Sequence, residues 1–116
     1  MKVIGITGGI GAGKSEVLKY LSDNYKCEII MTDDVAKSLY YKGSKAYQMI
    51  TMLFGDDVLD VNREIDKKKL AEIIFASPNK RAALDSIVHP LVKQEVITKV
   101  TNNRIENRLD YTFVES

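Results

Sequence analysis

The 116-residue sequence contains no tryptophan, one cysteine and two prolines. A single cysteine, Cys27, excludes an internal disulfide framework and any cysteine-based zinc cluster, and it fits a reducing, cytoplasmic setting. Charge of either sign is not in excess: 17 basic and 16 acidic residues leave a net +1. No field is strong enough for bulk nucleic-acid or membrane binding, so any anion site has to be local. No apolar run approaches the roughly 20 residues needed to span a bilayer, and no basic segment precedes an apolar stretch as in a secretory leader. Internal repeats and low-complexity tracts are also lacking. What remains is an ordinary globular composition, 45% hydrophobic and 28% charged, at a length suited to one domain.

The N-terminal third has a clear pattern. "KVIGIT" at 2–7 is apolar or β-branched at nearly every position, which predicts a strand buried on both faces. A glycine-rich loop follows, then Val17, Leu18 and Leu21 at helical spacing, then "CEIIM" at 27–31 as a second strand. Strand, loop, helix and strand make a βαβ unit. Beyond Met31 the sequence turns helical. Residues 34–54 are predicted as helix broken near Gly43-Ser44, and 54–66 as a polar connection with weak turn signals. Lys67–Phe75 is predicted as a short helix with Leu70, Ile73 and Ile74 inward and Phe75 anchoring helix packing. Ser77-Pro78 is a helix start with the hydroxyl as N-cap. That helix is expected to stop near Val88, because Pro90 disfavours helical geometry at His89, and a second is expected from Pro90 to about Asn103. "DYTFV" at 110–114 returns to strand composition.

The chemistry begins at Gly8-x-x-x-x-Gly13-Lys14-Ser15. Glycines at 8, 9, 11 and 13 let successive backbone N–H groups wrap an anion that side chains would otherwise block. The helix beginning near Lys14 points its positive end at the same anion. Lys14 can reach terminal phosphates and Ser15 can ligate Mg²⁺. Because the loop follows a buried strand and opens a helix, it reads as a nucleotide-phosphate site rather than a bare turn. A GTPase switch is disfavoured. No aspartate has glycine three residues later, and the lone Asn-Lys pair, Asn79-Lys80, opens a helix. A small-molecule kinase needs a carboxylate near the transferred phosphate to accept the proton of the attacking hydroxyl. Asp33, just past the second strand, is the candidate, expected to face the loop across neighbouring strand ends. Asp33 or Asp34 can equally serve as a helix N-cap.

"TGGIGAGKS", "TDDVAKSL", "KGSKAY", "FG" at 54–55, "IDKKKLAEIIF" and "IVHPLV" together resemble dephospho-coenzyme A kinase in order and spacing. The resemblance implies a P-loop kinase-type α/β fold, a parallel sheet with flanking helices and a helical acceptor-binding insertion. It implies ATP-dependent phosphorylation of the ribose 3′-hydroxyl of dephospho-coenzyme A. It places ATP phosphates along Gly8, Gly9, Ile10, Gly11, Ala12, Gly13, Lys14, Ser15 and Glu16, with Mg²⁺ on Ser15 and Lys14 as a catalytic cation. Asp33 matches the second aspartate of the family's "D-A-D" segment, the general base. His89 alone would be a structural residue between two helices; the matching "HP" moves it towards the acceptor, together with Lys67 and Tyr40. Other lysines of "KKK" would otherwise form a solvated helix face.

Three positions depart from the family pattern: Met31 for the first aspartate of "D-A-D", Glu16 for a common threonine, and Lys67 for an arginine, which loses bidentate geometry. Glu115 follows the third strand. There an acid can orient the Mg²⁺ shell through water, or it can be a frayed end. The expected organisation is a βαβ nucleotide core at 1–33, a mainly helical acceptor region at 34–108 and a returning strand at 109–116. With no lid segment in view, the chain is expected to be the first part of a longer one. The rival readings are another P-loop small-molecule or nucleoside monophosphate kinase, or a non-catalytic nucleotide-binding fragment that associates through an exposed sheet edge.

Overall fold

The structure, a computed structural model, describes residues 1–8 and 13–116. Its elements in chain order are β1 (Lys2–Ile6), α1 (Lys14–Asn24), β2 (Cys27–Met31), α2 (Thr32–Ser38), α3 (Lys45–Phe54), α4 (Lys67–Ala76), α5 (Pro78–Glu106) and β3 (Tyr111–Glu115), with a 3₁₀ turn at Gly55–Val58. Two compact units result: Met1–Val35 with Gln94–Ser116, and Ala36–Lys93.

The first unit is a three-stranded parallel sheet in the order β1-β3-β2. β3 therefore occupies the centre, and the two earlier strands are not neighbours as the βαβ reading assumed. A parallel crossover can skip one strand position, and here the chain returns through α5 to fill it. The central strand carries the buried side chains: Thr112 and Phe113 on β3, with Ile30 on β2 beside them. Thr112 accepts a hydrogen bond from Asn103 Nδ2 at 3.2 Å and donates to Met1 Sδ at 3.0 Å, while Asn103 also donates to Glu28 Oε1 at 2.6 Å. This polar cluster fixes the last turns of α5 to the sheet with its donors and acceptors matched. β1, predicted to be buried on both faces, is instead an edge strand with Val3 and Ile4 exposed. It has a paired neighbour on one side only among the described residues. α1 keeps Leu18 and Leu21 half-buried, but no residue of it is fully buried.

The second unit is helical, and its core draws on every segment. Ala46 and Ile50 of α3, Leu70 of α4, and Leu84, Val88 and Val92 of α5 are all buried. The "polar connection" contributes Val58, Leu59 and Ile65 to the same core. Asp60 Oδ1 accepts from the N–H groups of Asn62 and Glu64, an Asx-type turn that folds Leu59 back onto Ile65 as an antiparallel bridge. Asp66 then caps α4 through the N–H groups of Lys68 and Lys69. Ser77 accepts from Lys80 N–H at the start of α5, as Ser77-Pro78 predicts, and Ser44, where the sequence suggests only a break in the helix, caps α3.

Two helix expectations are corrected. α5 runs unbroken for 29 residues with Pro90 inside it. Proline there removes one N–H, but Leu84, Val88 and Val92 recur every four residues on the buried face and Pro90 lies on the exposed one. Burial on both sides of the proline holds the helical register. Phe75 does not anchor packing, being 92% exposed. It follows the buried Leu70 by five residues, which turns it about 140° away from the buried face at ~100° per residue. Among the described residues no helix is long and apolar enough to cross a membrane.

Candidate active site

The sheet register brings the chemistry to one edge. Glu115, the last residue of the central strand, pairs in register with Ile6 on one side and Met31 on the other. Ile6 leads to the phosphate loop and Met31 leads to Asp33, each strand lying about 4.8 Å from β3. The carboxyl ends of all three strands thus share the edge where ligands bind in open parallel sheets.

Gly13 opens α1 with φ +74°, a left-handed conformation that glycine adopts without strain. The following residue, Lys14, folds its side chain back across the edge. Its ammonium forms an ion pair with Glu115 Oε1 and also donates to the Gly8 carbonyl at 3.4 Å. The Glu115 side chain is 8% exposed and that of Lys14 23%, so the pair is largely withdrawn from water. A β-carbon at Gly8 would touch Lys14 Cδ at 3.7 Å, so the lysine stem passes close over the start of the loop. Ser15 and Glu16 follow in the exposed first turn of α1. The predicted phosphate contacts at Gly9, Ile10, Gly11 and Ala12 lie outside the described residues.

Asp33 and Asp34 fall inside the first turn of α2, not before it. Neither carboxylate makes a cap hydrogen bond among the described residues, and both side chains are exposed. The capping alternative therefore has no support in the geometry. Asp33 stands two residues beyond the Met31–Glu115 register pair. The expectation that it faces the loop across adjacent strands is corrected, since β3 intervenes.

The sequence leaves Glu115 open between an acid near a Mg²⁺ shell and a frayed end, and the structure places it, buried, at the end of the central strand. The signal for it is an acid at the carboxyl end of an apolar strand, and only the strand order gives that signal its meaning. The Ser15 hydroxyl and the Glu115 carboxylate are both hard oxygen donors, the type that Mg²⁺ takes. No group of three or more His, Cys, Asp or Glu able to hold a metal occurs among the described residues.

The sequence signature of the dephospho-CoA kinase family matches residues 2–115. The chain belongs to this family. A dephospho-CoA kinase domain-containing protein of Danio rerio is 43% identical over 100 residues, covering 86% of this chain and 43% of the relative. A dephospho-CoA kinase of Staphylococcus epidermidis is 40% identical over 106 residues, covering 91% of this chain and 51% of the relative. Among solved structures, TT1252 from Thermus thermophilus superposes with TM-score 0.73 at 30% identity, over 98% of this chain and 55% of that one. Dephospho-CoA kinase from Campylobacter jejuni, at 22% identity and TM-score 0.70 over 99% of this chain and 58% of that one, shares the fold. The chain spans about half the length of the curated relatives it matches.

The residues that the dephospho-CoA kinase resemblance assigns to the acceptor all lie in the second unit. Lys67 is exposed at the start of α4. His89 is exposed on α5, its Nε2 4.0 Å from Asp85 Oδ1 one helical turn back. Lys67 and His89 share no hydrogen bond or ion pair among the described residues, and Tyr40 is half-buried after α2. An open groove of about 590 Å³ lies along α4, with Lys69 and Lys80 as its cations and Asp57 and Glu72 as its anions. Lys69 is partly committed, donating to the Leu59 carbonyl at 3.0 Å. None of Tyr40, Lys67 and His89 lines this groove.

Proposed function

We propose that the chain is the ATP-binding portion of an enzyme that moves the γ-phosphoryl group of ATP to the ribose 3′-hydroxyl of dephospho-coenzyme A. The match of the dephospho-CoA kinase signature over residues 2–115 is the observation that supports this most. The relatives' named activity comes to this chain on that ground.

In this reading the backbone from Gly8 to Ser15 binds the ATP phosphates, and Lys14 supplies a cation to the transferring group as charge spreads over its oxygens. Ser15 and Glu115 are the residues that would hold Mg²⁺, which when bound neutralises phosphate charge. Asp33 accepts the proton of the attacking hydroxyl; its exposed carboxylate is free to meet a ligand. Tyr40, Lys67 and His89 bind the acceptor. The lone thiol, Cys27, suits a reducing cytoplasm.

The test is ATP-dependent phosphorylation of dephospho-coenzyme A measured against adenosine, AMP and shikimate. Dephospho-coenzyme A should be preferred in kcat/KM by at least about 100-fold, the scale of discrimination that a site with dedicated polar contacts provides. Equal turnover of AMP would overturn the assignment in favour of a nucleoside monophosphate kinase.

A further inference from the structure

The outward face of α3 carries apolar side chains where a solvated helix carries polar ones. Ala46 and Ile50 supply its buried face, yet Met49, Met52 and Leu53 are all exposed, Met52 by 86%. Lys45, Met49 and Met52 are spaced four and then three residues apart, the spacing of a two-helix seam. At ~100° per residue they lie within about 60° of one another around the axis, with Leu53 beside Met49. Both ends of this stripe are charged. Lys42 and Lys45 stand at the start of α3, and Asp56 and Asp57 follow directly after it in the 3₁₀ turn, all four exposed.

These charges oppose the helix's own dipole, with cations at its positive end and anions at its negative end. Little within the chain offsets them. Lys45 has no ion-pair partner among the described residues. Lys42 donates to the Asn62 carbonyl, and Asp56 meets Arg63 only in a 3.4 Å pair open to solvent, a type worth little. The same order of charges is complementary to a second α3 laid antiparallel. A two-fold axis passing between Met49 and Met52 sets Met49 of each copy against Met52 of the other. It also brings each Lys45 to the acidic end of the other copy's helix and aligns the two dipoles in opposite senses.

We propose that the exposed face of α3 is a self-association surface on which two copies of this chain form an antiparallel helix pair. Met49 and Met52 make its apolar centre, where flexible thioether side chains adapt to one another. Lys45 against Asp56 and Asp57 closes each end and sets the direction, because a parallel pair would place lysine against lysine. Three apolar side chains per copy fall well short of a standard interface, so the dimer is weak, with Kd on the order of 10–1000 µM.

The experiment is sedimentation equilibrium of the chain from about 10 µM to about 1 mM, the range this small surface implies. A monomer–dimer equilibrium is expected, weakened several-fold between about 0.1 M and about 1 M sodium chloride as the Debye length falls from ~10 to ~3 Å. Met52→Glu should raise Kd at least about tenfold by placing a charge in the apolar centre. Two further variants test direction: Lys45→Glu, and Asp56→Lys combined with Asp57→Lys. Each alone sets like charges at both ends and should raise Kd at least about tenfold. Mixed in equal amounts, the two should pair with each other about as tightly as the original chain, since opposite charges then meet at both ends. All these positions are exposed, so circular dichroism should be unchanged throughout.

A chain that stays monomeric across the whole range overturns the proposal. So does a dimer that tolerates Met52→Glu, or a pair of charge variants that fails to associate on mixing. A dimer lost in Ile4→Lys but kept in Met52→Glu would place the contact at the open edge of β1 and overturn the assignment to α3.

Discussion

Removing Lys14 should destabilise the fold, an outcome that a lysine serving only to contact ligand would not produce. The Glu115 carboxylate is 8% exposed at the end of the central strand, and the Lys14 ammonium is its ion-pair partner. In Lys14→Met the stem's packing is kept, but the carboxylate is left withdrawn from water with no counter-charge. Breaking a fully buried pair in this way costs about 3–5 kcal/mol. Lys14 is 23% exposed, so water screens part of the interaction, and a loss of about 2 kcal/mol is expected.

The reverse change is asymmetric. Glu115→Gln leaves an ammonium on a flexible stem that can reach solvent, so it should cost less than about 1 kcal/mol. Combining the two changes removes the bare carboxylate and should recover most of the Lys14→Met loss, a coupling of about 1–2 kcal/mol. Urea unfolding followed by circular dichroism reads all four chains. With a slope of about 1–3 kcal/mol per molar urea, Lys14→Met should shift the midpoint down by about 1 M. A Lys14→Met chain as stable as the original, or strictly additive double-variant energies, would refute the paired arrangement at the sheet edge.

Asp33→Asn should lower phosphoryl transfer by about 10²–10⁴-fold, the usual contribution of a general base, while ATP affinity by calorimetry stays within about twofold. Turnover that survives the change would remove Asp33 from the chemistry. Pro90→Ala should stabilise the chain by about 1–3 kcal/mol, seen as a higher melting temperature, because it restores an N–H inside a helix that is already continuous; a lower melting temperature would show that the proline is needed where it stands. Burial pushes the Cys27 thiol above its ordinary value near 9.0, so the folded chain favours the protonated form. That contribution is fully present below the unfolded pKa and is lost as pH rises through the folded one, and alkylation of Cys27 by iodoacetamide at pH 9 should be slower in the folded chain than in urea. Equal rates would contradict it.

The elements whose causes are local were legible in the sequence. Ser77 is a cap set by residue type and position, and the strands and the short helix at Lys67 follow from apolar spacing over a few residues. Of the glycine loop, the described part is its last glycine, Gly13, whose left-handed φ opens α1 where the sequence places a helix start. What was not legible depends on distant partners. Pro90 breaks a helix on local grounds, yet Val88 and Val92 on either side of it are both buried, and that tertiary burial carries the helix through. Val58, Leu59 and Ile65 sit among charged neighbours, and it is the Asp60 turn that brings them inward. Exposed β1 reverses the reading of "KVIGIT" for the same reason: apolar composition states a capacity for burial, and strand order decides how much of it is used.

The strand order also alters the meaning of the Met31 departure. Taken along the chain, methionine in place of the family's first aspartate removes a carboxylate from the edge of β2. Taken across the sheet, Met31 is the register partner of Glu115. A carboxylate therefore does stand at this level of the edge, about one strand spacing of 4.8 Å away and on the central strand. A second acid at position 31 would sit directly beside it, and like charges across adjacent strands repel. Glu115, flanked by paired strands and held to Lys14, is the more rigid of the two places for that charge. From there it is equidistant in register from Ile6, which feeds the phosphate loop, and from Met31, which feeds Asp33. A carboxylate on the central strand thus stands beside Met31 in register and pairs with the lysine that follows Gly13 directly.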